Sequence, residues 1–172
     1  SELARRSDLH LQIKPGEDAA LLAGMIRIIL AEDLHDAAFC EEFVSGLDEL
    51  RQSVERYDTA SVSARTDIPA DAIVEAARTF AAGPRGVAVT GTGPEMSSHP
   101  NLTQHLTASL NTICGRYYRA GEMMPNPGAL ARDTPKYAQV YEAPLAWGRG
   151  TRCRVNPEFG ELASATGVRE MP

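Results

Sequence analysis

Two short stretches place chemistry-bearing residues at bends in the chain. Gly16, Glu17 and Asp18 come directly after Pro15, and an apolar run follows them. Pro-Gly makes a turn, because glycine accepts a positive φ without steric cost. Acids in the first turn of a helix oppose the positive end of its dipole, which is a sufficient structural reason for them. They also have a chemical use. A carboxylate beside an exposed turn accepts two hydrogen bonds from neighbouring N–H groups on a guanine edge. Adenine lacks that donor pair, so Asp18 in such a place selects guanine. The second stretch is Gly91-Thr92-Gly93. A Gly-x-Gly after a strand lets the backbone approach a phosphate, and it serves equally as a plain tight turn. Position 96 is Met, so the full G-x-G-x-x-G fingerprint of nicotinamide sites is absent.

Other reactive side chains form no recognisable set. His99 and His105 lie six apart around a helix start, which suits solvated or capping histidines. Arg116, Arg119, Arg149, Arg152 and Arg154 form a basic cluster that meets either solvent or phosphates and carboxylates. Cys40, Cys114 and Cys153 are widely spaced, with no C-x-x-C or Cys/His ligand spacing. Neither a zinc site nor an iron–sulfur cluster is encoded in this segment. Reduced, buried thiols of a cytosolic type are the plain reading, which favours the cytoplasm and leaves the compartment open. No serine sits in a G-x-S-x-G elbow.

The elements that must position these residues follow from periodicity. Asp8 to Ile13 alternates like a strand. Leu21, Leu22, Met25, Ile26, Ile28, Ile29 and Leu30 are apolar nearly all round, as in a helix buried on several sides. Asp36 is an N-cap for a helix carrying Phe39 and Phe43 and ending at Gly46. Leu47, Leu50 and Val54 mark another. Ile68-Pro69-Ala70-Asp71 starts a helix that Gly83-Pro84 stops. Residues 86–90 read as a buried strand emptying into the Gly91 loop. A last helix runs from about Asn101 to Tyr117, with Leu102, Leu106, Leu110 and Ile113 on one stripe. This order is α/β. With only two convincing strands, it predicts part of a doubly wound, Rossmann-like parallel sheet, helix-rich. Residues 1–121 form that partial dinucleotide-binding domain. Residues 122–172 hold six prolines and no sustained period, an irregular extension.

Bulk properties narrow the partners. Apolar residues make up 43% and charged residues 23% of the 172, a globular balance. The net charge of −6 and sparse aromatics argue against nucleic acid. The apolar run from Ala19 to Ala31 is too short for a membrane span and carries Arg27. The N-terminus has no signal-peptide core and no Met, so the chain reads as beginning inside something larger. A sheet interrupted in this way exposes apolar surface, through which the chain is expected to self-associate.

Taken in order, these segments resemble the molybdopterin-dependent oxidoreductases, the superfamily of dimethyl sulfoxide reductase, formate dehydrogenase and nitrate reductase. The opening is similar to that family's "Ala-Asp-x-x-Leu-x-Ile-Arg-Pro-Gly-Thr-Asp" line, matching at Asp8, Leu11, Ile13, Pro15, Gly16 and Asp18 and departing at Ser7, Lys14 and Glu17. Phe43, Gly46, Leu50, Val54 and Tyr57 match a second segment. Ala77 to Ala81 resembles its "Ala-Arg-x-Phe-Ala" helix, and Gly91 to Gly93 and Leu110 to Gly121 resemble its next strand exit and helix end. The resemblance covers about residues 3–128.

That resemblance implies an α/β domain holding a molybdopterin guanine dinucleotide. Gly16, Glu17 and Asp18 would sit at the guanosine end, and Thr92, Gly93 and Met96 nearer the pterin and phosphates. Glu17 in place of the family's Thr adds a negative charge near a phosphate-bearing ligand. The family's iron–sulfur cysteines and molybdenum-ligand segment are absent, so no catalytic residue is named and the remaining domains of a parent enzyme are the implied partners. The alternatives are a non-enzymatic binding or interaction domain that retains only the scaffold, and an ordinary α/β nucleotide-binding protein.

Overall fold

Helix α2 (Asp18–Ala31) is apolar on nearly every side, and eight of its residues are buried, from Ala20 to Leu30. The structure, a computed structural model, describes residues 2–84, 86–124 and 136–138. It divides into two units, Ser1–Tyr117 and Tyr118–Pro172. In the first unit α1 (Glu2–Arg6) precedes α2. Then come α3 (Ala37–Phe43), α4 (Leu47–Val54), α5 (Thr59–Thr66), α6 (Ala70–Ala82), α7 (Thr92–Glu95) and α8 (Pro100–Ile113). Helices α4, α5, α6 and α8 all pack on α2. Ile26 and Ile29 are fully buried, each contributing about 1.5–3 kcal/mol of transfer free energy. Arg78 of α6 grips Glu32, just past the end of α2, through Nε and Nη2 at 2.7 and 2.8 Å. That pair holds the Glu32 carboxyl below the usual carboxylate range.

Capping residues fix where the short helices begin. The Asp36 carboxylate accepts from the Phe39 N–H at 3.0 Å and starts α3. Helix α3 ends at Phe43 with Val44 as its C-cap, not at Gly46, which takes the left-handed conformation, φ +81°, and is the N-cap of α4. Helix α5 is not legible from periodicity. Its sequence, Thr-Ala-Ser-Val-Ser-Ala-Arg-Thr, has weak helix propensity. Asp58 starts it by accepting from the Ser61 N–H at 2.9 Å and the Ser61 hydroxyl at 2.7 Å. Val62 then buries itself against Gly24 of α2.

Two further expectations need correction: the end and buried stripe of α8, and the burial of residues 86–90, where Val87 and Val89 are 63% and 80% exposed. Helix α8 ends at Ile113, not Tyr117, and Leu102 is 45% exposed. The buried stripe instead includes Thr103, Thr107 and Asn111, at i, i+4 and i+8. Both threonine hydroxyls bond back to carbonyls one turn earlier, which lets polar residues lie inside. Gly83 ends α6 in an extended conformation, with φ −63° and ψ 131°. Arg116 completes that stop, donating to the carbonyls of Phe80, Ala81 and Gly83. Finally, the described residues contain no parallel ladder. Residues 9–13 and 86–90 make no backbone pairs with each other. The alternation is nevertheless real: Leu9, Leu11 and Ile13 pack on the helical core while His10, Gln12 and Lys14 face out.

In the second unit, β1 (Met123–Met124) pairs antiparallel with β2 (Lys136–Tyr137). The rest of the 122–172 extension lies outside the described residues.

Gly24 of α2 faces Val62 with no room for a side chain. A Cβ there would lie 2.9 Å from Val62 Cγ2, and Val62 has no exposure into which to move. Helix propensity favours alanine by about 1 kcal/mol, whereas overpacking costs about 1–3 kcal/mol. Gly24→Ala is therefore expected to lower the urea midpoint. In a Val62→Ala background the same change should raise it. An increase in both backgrounds would show that the α2–α5 contact yields.

Candidate functional site

The Pro-Gly bend is held from two sides by the end of α5. Gly16 has φ +91°, and the Glu17 N–H closes the turn on the Lys14 carbonyl at 3.2 Å. The Lys14 N–H bonds the Thr66 carbonyl at 3.0 Å. The Glu17 carboxylate does not cap α2. It accepts from Arg65 Nε and Nη2 at 2.9 and 2.7 Å. Arg65 was invisible as a site residue because the helix that carries it has no apolar period. Asp18 opens α2 and is half-buried. No hydrogen bond or ion pair reaches its carboxylate among the described residues, and the Asp18 and Ala19 N–H groups make no backbone bond there. The space beside Gly16 is open, with no atom within 4 Å of the position a Cβ would take.

Thr92, Gly93 and Met96 form a second set. They belong to one turn of helix, α7, and its C-cap, where the Met96 N–H returns to the carbonyls of Thr92 and Gly93 at 3.0 and 3.2 Å. The Thr92 and Gly93 N–H groups have no partner among the described residues. Space beside Gly91 and Gly93 is open, and Met96 is 81% exposed. Glu95 turns aside to accept from Thr90 and Gln104. Asn111 anchors the approach to this turn. Its Oδ1 accepts from the Ala88 N–H at 2.8 Å, and its Nδ2 donates to the Ala88 carbonyl at 2.9 Å. The structure thus groups the six expected residues as 16–18 and 92–96. No hydrogen bond or ion pair among the described residues joins the two sets.

Other candidates resolve individually. Arg116 spends its guanidinium on the α6 carbonyls and sits 5.2 Å from the Phe80 ring centroid, so it is not a phosphate ligand. Arg149, Arg152, Arg154 and Cys153 lie outside the described residues. His99 occupies the N-cap position of α8 without capping it, and His105 is exposed. A cavity of about 600 Å³ between α4 and α8, walled by Leu47, Leu50, Leu102, Leu106 and His105, includes none of the six residues. Among the described residues no three His, Cys, Asp or Glu side chains cluster as for a metal ion. No helix there is long and apolar enough to cross a membrane.

Comparison with known proteins gives these bends a context. No family model matches the chain. The molybdopterin-containing subunit PhsA of Salmonella typhimurium thiosulfate reductase is 30% identical over 130 residues, covering 75% of this chain and 17% of that protein. The homologues of this chain are molybdopterin oxidoreductases, of which it matches only a part. Probable oxidoreductase YoaE of Bacillus subtilis is 31% identical over 136 residues, 78% of this chain and 20% of that protein. The assimilatory nitrate reductase catalytic subunit of Bacillus subtilis is 36% identical over 92 residues, 54% of this chain and 13% of that protein. Among solved structures, acetylene hydratase from Pelobacter acetylenicus superposes with a TM-score of 0.66 at 26% identity, over 73% of this chain and 18% of that one. The chain therefore spans a fifth or less of the length of these relatives.

Two thiols lie away from both bends. Cys40 and Cys114 are buried where α3 meets the end of α8, and Cys40 Sγ donates to the Ile113 carbonyl at 3.7 Å. Burial pushes the Cys114 thiol up to about 11, from an ordinary value of 9.0. Between those values the folded chain retains a proton that the unfolded chain has lost. Stability is thus full below pH 9 and falls as pH rises towards 11, by about 2–3 kcal/mol. Urea titrations at pH 8.5 and 11 should show Cys114→Ala losing less stability over that interval than the wild type. Equal losses would mean that the thiol is open to solvent.

Proposed function

We propose that this chain holds the guanine end of a molybdopterin guanine dinucleotide within a molybdopterin oxidoreductase, and that it is not catalytic by itself. The observation that carries the reading is the half-buried Asp18 carboxylate, which has no partner among the described residues and stands beside free N–H groups and an open turn. One carboxylate matches the two donors of a guanine edge, and that match is the specificity. The open glycine turn with free Thr92 and Gly93 amides suits the phosphate and pterin portion, with Met96 beside it. Glu17 does not oppose the phosphates with a bare charge, because Arg65 pairs with it.

The donor set fits a nucleotide, and the described residues offer no metal ligand set. When bound, the cofactor supplies two-electron redox chemistry at molybdenum. The residues of this chain bind and orient. Gly16 leaves room, Asp18 reads the base, and the Arg65–Glu17 pair keeps the bend in place. The cofactor-holding role belongs to residues 1–121. In this reading segments 9–13 and 86–90 belong to a doubly wound parallel sheet, and the partners are the remaining domains of the longer enzyme.

Asp18→Ala in that longer polypeptide should lower cofactor occupancy, read as pterin and molybdenum per mole of purified protein. Losing a charge-assisted pair costs about 1.5–3 kcal/mol, an affinity loss of about 10- to 150-fold. Glu41→Ala, an exposed change on α3, should leave occupancy unchanged. Wild-type occupancy in Asp18→Ala would remove the role given to Asp18.

A further inference from the structure

Glu17 stands at the cap position of α2 without using its side chain as a cap. Its carbonyl accepts from the Ala20 and Leu21 N–H groups at 3.0 and 3.1 Å, so the first turn of the helix closes on its backbone. The carboxylate is turned instead to Arg65 of α5. A guanidinium and a carboxylate commonly pair as two forks, one N–H to each oxygen. Here Arg65 Nε and Nη2 both come to the same oxygen, Oε2, at 2.9 and 2.7 Å. The grip is side-on. It fixes the carboxylate by one oxygen and leaves the lone pairs of Oε1 for another donor. Glu17 is half-buried, as is Asp18 beside it.

We infer that Glu17 is a specificity-determining residue of the same site: its Oε1 accepts from the ribose hydroxyls of the guanosine whose base Asp18 reads. The inference rests on that reading of Asp18 and adds the sugar to it. Chemistry selects the hydroxyls. An ionised carboxylate only accepts, so its partner must be a donor. An ionised phosphate offers none and is repelled. A nucleoside carries donors on its base edge and on its sugar, and acids take the sugar hydroxyls in dinucleotide sites. Consecutive Cα atoms stand about 3.8 Å apart, so two neighbouring carboxylates fall within the span of one nucleoside. Arg65 is the positioning residue. It keeps the Glu17 side chain from turning back onto the amides at the start of α2. It also offsets the charge that two adjacent acids would set against the phosphates.

Two nucleotides that differ only in the sugar hydroxyls test this: guanosine diphosphate and 2′,3′-dideoxyguanosine diphosphate. Each is titrated into the 15N-labelled 172-residue chain and read at the amides of Gly16 to Ala19. The dideoxy nucleotide should bind about 10- to 150-fold more weakly, the loss expected for a hydrogen bond to a charged group. Glu17→Ala should bring the two affinities together. Arg65→Met should narrow the gap between them, and Arg65→Lys should restore part of it. Damage to the fold weakens both nucleotides alike, so the ratio separates recognition from structure. Equal affinities in the wild type would overturn the role of Glu17 and leave that of Asp18 standing, and so would a ratio unchanged in Glu17→Ala. A chain that responds to neither nucleotide, or equally to adenosine diphosphate, would remove the reading of Asp18 and this inference with it.

Discussion

Because α2 is apolar on nearly all sides, it has no face to turn towards water, and four other helices must cover it. That requirement organises the first unit. Ile26, Ile29 and Leu30 are sealed by α4, α5, α6 and α8. Once the helix is enclosed, its two ends become fixed points. At one end Glu17 meets Arg65, and just beyond the other Glu32 meets Arg78. Such half-exposed ion pairs add little stability in water. Their contribution is orientation, because each ties an end of the buried helix to a neighbour. Asp18 is aimed by its place at the start of a rod that cannot rotate, and the Pro-Gly bend only delivers the chain to that point.

What could be read from the residues divides along physical lines. The helix with apolar side chains all round was legible because burial leaves the plainest compositional trace. Asp36 and the Ile68–Asp71 start were legible because capping and turn chemistry are local, whereas Gly46, expected to end α3, instead opens α4. Helix α5 was not, since its reason to exist lies in Val62 meeting Gly24, a contact 38 positions away in sequence. Missing α5 meant missing Arg65, which steadies the candidate bend. Leu102 misled for a related reason. An apolar stripe at helical spacing is a pattern, but Thr103 and Thr107 took the buried positions by bonding their hydroxyls to α8 itself. Residues 9–13 alternate as their pattern says, whereas Val87 and Val89 are exposed where a buried strand was expected, and neither segment finds a strand partner among the described residues, because pairing depends on a neighbour that no local pattern encodes.

Asn111 and Arg116 show how this chain uses side chains where a complete sheet would use backbone. Asn111 presents an amide to Ala88 in the geometry of a ladder partner, and Arg116 presents a guanidinium to the last carbonyls of α6. Both act at the exit of α8, within six residues of one another. Together they hold the chain at residues 80–83 and at Ala88, ahead of the Gly91 turn. The two sets of candidate residues, 16–18 and 92–96, thus depend on different supports. One relies on α2 and α5, and the other on α8.

The central claim is that the carboxylate at the start of the enclosed helix reads a guanine. Titrating the 15N-labelled chain with guanosine diphosphate and with adenosine diphosphate tests it most directly. The account predicts shifts at the amides of Gly16 to Ala19 with the guanine nucleotide, at about tenfold or more higher affinity than with the adenine one. Equal responses to the two bases, or shifts that avoid the α2 start altogether, would contradict it.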